Sequence, residues 1–183
     1  MRPFPGIAGR ALSVAISQNA QQIAAGGANK QIRVWNINNA QAQTRFETPA
    51  EVTRLTFSPD NTKLLASGAD HALRAVDPTP PNPQPAEALV RPIAQTLTGH
   101  TAAIGSIVLA PNNRTAITAS ADGTAKTWDI AAATFTANLT GHASHIYGLA
   151  FSSDGKQLIS ASNDKTVRLW DVEKKASPAE TKR

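Results

Sequence analysis

Cysteine is absent from this chain of 183 residues. Its absence excludes disulfide scaffolds, cysteine nucleophiles, thiolate zinc sites and iron–sulfur clusters, while leaving the redox compartment open. Charge is scarce as well: Asp, Glu, Lys and Arg make up 17% of the residues, with a net charge of +5. The basic residues are scattered, so nothing marks a nucleic-acid-binding face. No apolar run reaches the roughly 18 residues a membrane-spanning helix needs. Behind Arg2 there is none of the apolar stretch of about 7–15 residues that marks a secretory signal. These absences point to a soluble protein of the cytoplasm without membrane insertion. The triplets Asn113-Arg114-Thr115 and Asn138-Leu139-Thr140 match glycosylation acceptors, but such short patterns arise by chance and carry no weight without a signal. Hydrophobic residues, in contrast, reach 41%. That is enough for a real core in about one domain's length.

An internal repeat organises the chain. Residues 99–130 lie over 141–172 without a gap, with ten identities in 32 positions and an offset of 42. The shared skeleton is Gly-His, an apolar strand, Ala-Ser-x-Asp-x-Thr and Trp-Asp. Two weaker copies lie upstream, where Trp35-Asn36 and Val76-Asp77 hold the Trp-Asp position. Asn29 and Asp70 stand six residues before those anchors, as Asp122 and Asp164 do before theirs. The anchors are 41, 52 and 42 residues apart. A period of about 40–45 residues built from short strands is the pattern of propeller blades. In the last copy the strands fall at Ile146–Phe151, Gln157–Ser160 and Thr166–Val172. Turn chemistry separates them, as in Ser58-Pro59-Asp60-Asn61 and Ser153-Asp154-Gly155. A fourth strand, such as Thr134–Leu139, fits between each Trp-Asp and the next Gly-His.

The chain resembles the WD-repeat (tryptophan–aspartate repeat) β-propeller family from Gly6 to Val172, most specifically in the last two copies. The resemblance implies an all-β fold of four consecutive blades, each a four-stranded antiparallel sheet, in an incomplete or open ring. The repeats span about 6–37, 47–77, 99–130 and 141–172, with a proline-rich insertion at 77–92 and a polar tail at 173–183. It further implies a buried network in each blade, running from a His before the first strand through a hydroxyl on the second and an Asp in the next turn to the Trp of the third. Copy three supplies His100, Thr118, Asp122 and Trp128; copy four supplies His142, Ser160, Asp164 and Trp170. The first two copies depart from this: Ile7 and Thr48 replace His, Ala25 and Ala66 replace the hydroxyl, and Val76 replaces one Trp. Those blades are expected to rest on apolar packing and to be the looser pair.

Two segments break the regularity. Asp77–Pro92 holds six prolines and is expected to be an extended, solvated insertion rather than a strand. After Val172 no apolar alternation follows, so the fourth strand of the last blade is expected to be missing. Its open sheet would then favour self-association with a second copy or with further blades.

Other constellations carry less. His142, Ser160 and Asp164 have the composition of a hydrolase triad. Copy three has Thr at the Ser position, however, and no Gly-x-Ser-x-Gly elbow exists. Gly26-Gly27-Ala28-Asn29-Lys30 lacks phosphate-loop spacing and reads as a hairpin turn. His71, His100, His142 and His145 offer no metal-ligand spacing for a strand fold. No metal, cofactor or catalytic site is expected. A basic column, Arg33, Arg74, Lys126 and Arg168, stands two positions before each anchor and reads as strand surface, its stems over apolar area and its charges wet.

What remains is a binding module. The family resemblance implies a non-catalytic interaction scaffold for a protein or peptide partner; the alternatives are an appendage regulating an enzyme domain encoded elsewhere, or a fragment without independent function. By the same resemblance, contacts concentrate beside the first strand and before the turn Asp. Those positions hold Ala11, Ser13 and Ala28 in copy one, Glu51, Thr53 and Ala69 in copy two, and Ala103, Gly105 and Ala121 in copy three. Copy four has His145, Tyr147 and Asn163. Only this last set groups an aromatic, an imidazole and an amide, so it is the expected anchor, with Glu51 and Thr53 at the rim.

Overall fold

The computed structural model describes residues 3–4, 6–80, 89–172 and 179–180. All regular structure in it is strand. Blade one comprises β1 (Ala11–Ile16), β2 (Gln22–Gly27), β3 (Gln31–Asn36) and β4 (Ala42–Glu47). Blade two follows with β5 (Val52–Phe57), β6 (Leu64–Gly68) and β7 (Leu73–Val76); β8 (Leu89–Val90) comes next, and β9 (Gln95–Leu97) closes that blade. Blade three is β10 (Ile104–Leu109), β11 (Thr115–Ser120), β12 (Ala125–Asp129) and β13 (Thr134–Leu139). Blade four is β14 (Ile146–Phe151), β15 (Gln157–Ser162), β16 (Val167–Asp171) and β17 (Ala179–Glu180). The chain forms two compact units, residues 1–96 and 97–183.

The turns explain why strands stop where they do. Ser58 Oγ bonds Asp60 Oδ1 at 2.6 Å, and that same carboxylate oxygen accepts from the Thr62 amide. Ser152 and Asp154 repeat the arrangement in blade four, and Ser17 and Asn19 in blade one. These local side-chain bonds offer the backbone an alternative to the ladder. In each unit the core lies between its two sheets. Ala24, Ile32, Val34 and Phe46 of blade one cluster with Val52, Leu55, Phe57 and Leu64 of blade two. Ile117, Ala119 and Ala125 of blade three cluster with Ile146, Leu158 and Trp170 of blade four.

Two expectations about strands need correction. Blade four has a fourth strand: β17 pairs antiparallel with β16 through Arg168↔Glu180 and Leu169↔Ala179. An outermost strand of two residues is held by backbone bonds and needs no apolar alternation. The proline-rich insertion also contributes a strand. Residues 81–88 lie outside the described part, but β8 pairs in parallel with β4 through Thr44↔Leu89 and Arg45↔Val90, giving blade one a fifth strand. Prolines disfavour ladder positions, and the paired residues are the proline-free ones. Arg91 fastens the crossing: its guanidinium donates to the Asp77 carbonyl at 3.1 Å, the Thr79 carbonyl at 2.6 Å and Asp77 Oδ2 at 3.1 Å, while its amide donates to the Arg45 carbonyl at 2.8 Å.

Arg91→Ala is expected to speed amide exchange at position 91 and at β8 while shifting global stability by less than about 1 kcal/mol, since the ion pair is partly exposed. Unchanged exchange there would mean that β8 is held without the guanidinium.

Candidate functional site

Blades three and four are tied together internally by one repeated chain of hydrogen bonds. In blade three, Trp128 Nε1 donates to Thr118 Oγ1 at 2.8 Å, and Thr118 Oγ1 lies 2.8 Å from His100 Nε2. His100 Nδ1 lies 2.7 Å from Asp122 Oδ2. Indole only donates and carboxylate only accepts, so the proton order is fixed: Thr118 donates to Nε2, and Nδ1–H donates to Asp122. Asp122 also accepts from the Thr101 and Thr124 amides and from Thr124 Oγ1. In blade four, Trp170 Nε1 donates to Ser160 Oγ at 2.7 Å, His142 Nε2 lies 2.8 Å from Ser160 Oγ, and His142 Nδ1 lies 2.7 Å from Asp164 Oδ2.

This geometry answers the hydrolase reading. Ser160 is buried, and its oxygen is enclosed by the indole and the imidazole. A nucleophile needs room for a carbonyl carbon and an oxyanion hole beside it. Ser160 has neither.

Electrostatics follow from the same bonds. Burial alone would raise the Asp122 carboxyl, but hydrogen bonds from Thr124, His100 and two backbone amides outweigh it and hold the group at about 2. Asp164 is likewise held well below the usual carboxylate range by Thr166, His142 and backbone amides, against the effect of burial. Burial lowers the His100 imidazole despite the opposing pull of Asp122.

Blade two solves the same problem differently, and corrects two expectations. Asp70 is retained in its turn, and Arg74 on β7 reaches it through both guanidinium nitrogens, Nη1 to Oδ1 at 3.0 Å and Nη2 to Oδ2. Arg74 is buried, so it is not a wet surface position, and blade two does not rest on apolar packing alone. The hydrogen bond from Arg74, aided by its charge and opposed by burial, lowers the Asp70 carboxyl. Gly68 makes the room: a Cβ there would stand 2.3 Å from Asp70 Oδ1 and 2.8 Å from Arg74 Nη1. Thr48, at the His position, donates instead to the Ala50 carbonyl at 2.8 Å. In blade three the corresponding cation, Lys126, bonds Asn138 Oδ1 at 2.7 Å and sits 5.3 Å above the Phe135 ring. The basic column is therefore not one uniform strand-surface position.

On the outer surface of blade four, His145, Tyr147 and Asn163 come together. The His145 and Tyr147 rings stack with centroids 4.3 Å apart, and Tyr147 is 57% exposed. Tyr147 Oη donates to Asn163 Oδ1 at 3.4 Å, and Asn163 Nδ2 donates to Ser144 Oγ at 3.3 Å. Two supports of this patch leave no mark in the residue pattern. Ser144 is one; Gly105 of β10 is the other, where a Cβ would come within 3.2 Å of His145 Nε2. A further device is the bulge. In every blade the pairing of first and second strands skips one residue, and the skipped residues are Leu12, Thr53, Gly105 and Tyr147. A bulge turns its side chain out of the ladder. It also corrects copy one: the Ala28 amide bonds the Arg10 carbonyl, as the Asn163 amide bonds that of His145, so Arg10 and Leu12, not Ala11 and Ser13, match His145 and Tyr147. Glu51 and Thr53 lie in the first unit, and the Thr53 hydroxyl is 2.8 Å from that of Ser67. Among the described residues no cluster of three His, Asp or Glu side chains could hold a metal, and no helix is long and apolar enough to cross a membrane.

Four-stranded blades at a regular period, two of them tied by indole, hydroxyl, imidazole and carboxylate, define a β-propeller repeat of the tryptophan–aspartate type. The chain belongs to the WD domain, G-beta repeat family, whose profile matches residues 4–36, 41–77, 92–129 and 133–171. Among characterised proteins it is similar to eukaryotic translation initiation factor 3 subunit I of Emericella nidulans and of Aspergillus terreus. Each is 35% identical over 63 residues, covering 34% of this chain and 19% of the relative. The subunit I of Candida albicans is 35% identical over 54 residues, 30% of this chain and 15% of the relative. The matched part thus spans less than a fifth of these relatives' length.

His142→Ala is expected to cost about 1–3 kcal/mol in urea unfolding, because Asp164 and Ser160 lose a buried partner. Arg74→Ala should fall in the same range, its partner Asp70 being partly solvated, and Thr48→Ala below about 1 kcal/mol. An Arg74→Ala midpoint equal to that of the parent chain would contradict the role given to the ion pair.

Acid should loosen the fold in a defined window. Carboxylates depressed in the fold contribute stability that is present above their unfolded values of about 3.9 and is lost as pH falls through the folded ones. His100, also lowered, adds a loss beginning below about pH 6.5. The melting temperature should fall from pH 6.5 toward pH 2, and Asp122→Asn should flatten the part below about pH 4. A variant profile parallel to that of the parent chain would remove Asp122 from the account.

Proposed function

We propose that the chain is a non-catalytic protein-interaction module and that a protein or peptide partner docks on blade four around Tyr147. The observation that carries this reading is the exposed tyrosine, turned outward by a bulge and braced by the His145 stack. A braced ring loses little freedom on binding and offers both apolar area and a polar tip. Asn163 and Ser144 supply adaptable hydrogen-bonding groups beside it. The enclosure of Ser160 supports the non-catalytic half of the reading. Membership of the repeat family supports a binding role by analogy of fold. The similarity to subunits of an initiation factor favours a partner within a multi-subunit assembly of translation initiation, and with it a cytoplasmic setting. Glu51 and Thr53 hold the equivalent positions of blade two but stay outside the contact proposed here, because Thr53 already has Ser67 as its partner.

The test is selection of a displayed random-peptide library on the intact chain, followed by affinity measurement with Tyr147→Ala. Selected peptides should lose about 2 kcal/mol of binding, about thirtyfold, while the melting temperature stays put. Undiminished affinity, or a variant that unfolds, would make the patch structural.

A further inference from the structure

Blades one and two share a local pattern besides the propeller spacing. Gly27-Ala28-Asn29 and Gly68-Ala69-Asp70 each end four residues before an arginine, Arg33 on β3 and Arg74 on β7. Their turns are built alike. The Lys30 amide donates to the Gly27 carbonyl at 3.2 Å, with a φ of 58° at Lys30. The His71 amide donates to the Gly68 carbonyl at 3.1 Å, with a φ of 64° at His71. At the turn position one group differs: the carboxylate of blade two is an amide in blade one.

Arg74 meets the Asp70 carboxylate through both Nη groups. Arg33 has no such acceptor among the described residues. Asn29 Oδ1 is enclosed and accepts no hydrogen bond, while Asn29 Nδ2 turns to Gln31 Oε1 at 3.5 Å. Glu47 is already engaged: it lies 3.3 Å from Arg45 Nε and accepts from Gln31 Nε2 at 3.0 Å. Arg33 itself is half-buried, and its Nε is shut off from solvent without a partner. Positive charge accumulates at the same place. Arg33 and Arg45 stand directly opposite each other in the β3–β4 pairing, where like charges repel. Burial and then the Arg45 charge lower the Arg33 guanidinium from its ordinary value, against a smaller pull from Glu47. Gly6 gives the guanidinium its room: its φ is +99°, and a Cβ there would stand 1.9 Å from Arg33 Nη1.

We infer that Arg33, with Arg45 beside it, is a recognition site for the side-chain carboxylate of an Asp or Glu in an acidic segment of a partner. Blade two shows the satisfied form within the same chain, a carboxylate laid end-on across both Nη groups of the column arginine. Two-pronged pairing of this kind suits the planar guanidinium and not an ammonium, and it adds direction to charge. A carboxylate at Arg33 supplies the acceptor that Asn29 does not, and it offsets the repulsion between the two arginines. The site lies in the first unit and stands independently of docking at Tyr147.

The test titrates the intact chain with capped tetraglutamate, with capped tetraglutamine and inorganic phosphate as parallel probes at constant ionic strength. Arginine Nε–H resonances report where each probe binds. The Arg33 and Arg45 signals should shift saturably with tetraglutamate and stay in place with tetraglutamine. Arg33→Gln and Arg33→Lys, read on Arg45, should each weaken binding at least about tenfold, the lysine because it keeps the charge and loses the fork. Asn29→Asp provides a readout that needs no ligand. It rebuilds the blade-two pair, so the melting temperature should rise by about 2–4 °C and tetraglutamate binding should be lost. The inference is overturned if no saturable shift occurs at Arg33, or if phosphate binds there more tightly than tetraglutamate, which assigns the site to another anion. An Arg33→Lys variant that binds like the parent chain would also overturn it. So would an Asn29→Asp variant that gains no stability or still binds tetraglutamate.

Discussion

A single hydroxyl group stands at the junction of each strongly built blade. Thr118 or Ser160 accepts a hydrogen bond from the indole of the third strand and lies against the imidazole that precedes the first. Three segments distant in sequence meet at one oxygen, and the imidazole passes the connection to a carboxylate in the turn. The indole, hydroxyl and imidazole are removed from water, where an unpaired donor or acceptor costs about 1–3 kcal/mol, and the carboxylate is largely so. The network therefore fixes strand register and turn conformation together: a one-residue slip of the second strand would turn the hydroxyl to the opposite face. The surface patch depends on it too. The turn held by Asp164 presents Asn163, and the segment after His142 leads through Ser144 and His145 to the bulge at Tyr147.

The first unit shows which part of the arrangement is dispensable. Blade two keeps the turn carboxylate and replaces imidazole by guanidinium, with Gly68 clearing the space. Blade one has Asn29 at that position, an amide with no charge to neutralise, and no cation is required beside it. What all blades share is the bulge in the first strand and the backbone bond from the residue before the turn to that strand. Backbone geometry is common to the repeats, while the buried polar groups vary within it.

Much of this was legible in the residues. The Gly-His, Ser/Thr, Asp and Trp-Asp spacing located copies three and four, the six-residue interval from Asn29 or Asp70 to the anchor located the two upstream, and the grouping of His145, Tyr147 and Asn163 could be anticipated from the repeat alone. The Arg74–Asp70 pair could not, because a basic residue occupies that column in every copy and sequence does not say which way its head turns. A usable signal did exist: an Asp retained where its His is lost needs another hydrogen-bond donor. The bulge shifted the reading of copy one by a residue, from Arg10 and Leu12 to Ala11 and Ser13. β8 and β17 escaped because two-residue outer strands are held by backbone pairing, which leaves no side-chain pattern.

The central claim is the direction of the protons through the hydroxyl junction. Long-range proton–nitrogen correlation of His100 at pH 7 measures it most directly, read together with exchange of the Trp128 and Trp170 indole protons. The account predicts a protonated Nδ1, an unprotonated Nε2 and indole protons protected to nearly the stability of the whole fold. A protonated Nε2 on His100, or indole protons that exchange freely with solvent, would contradict it.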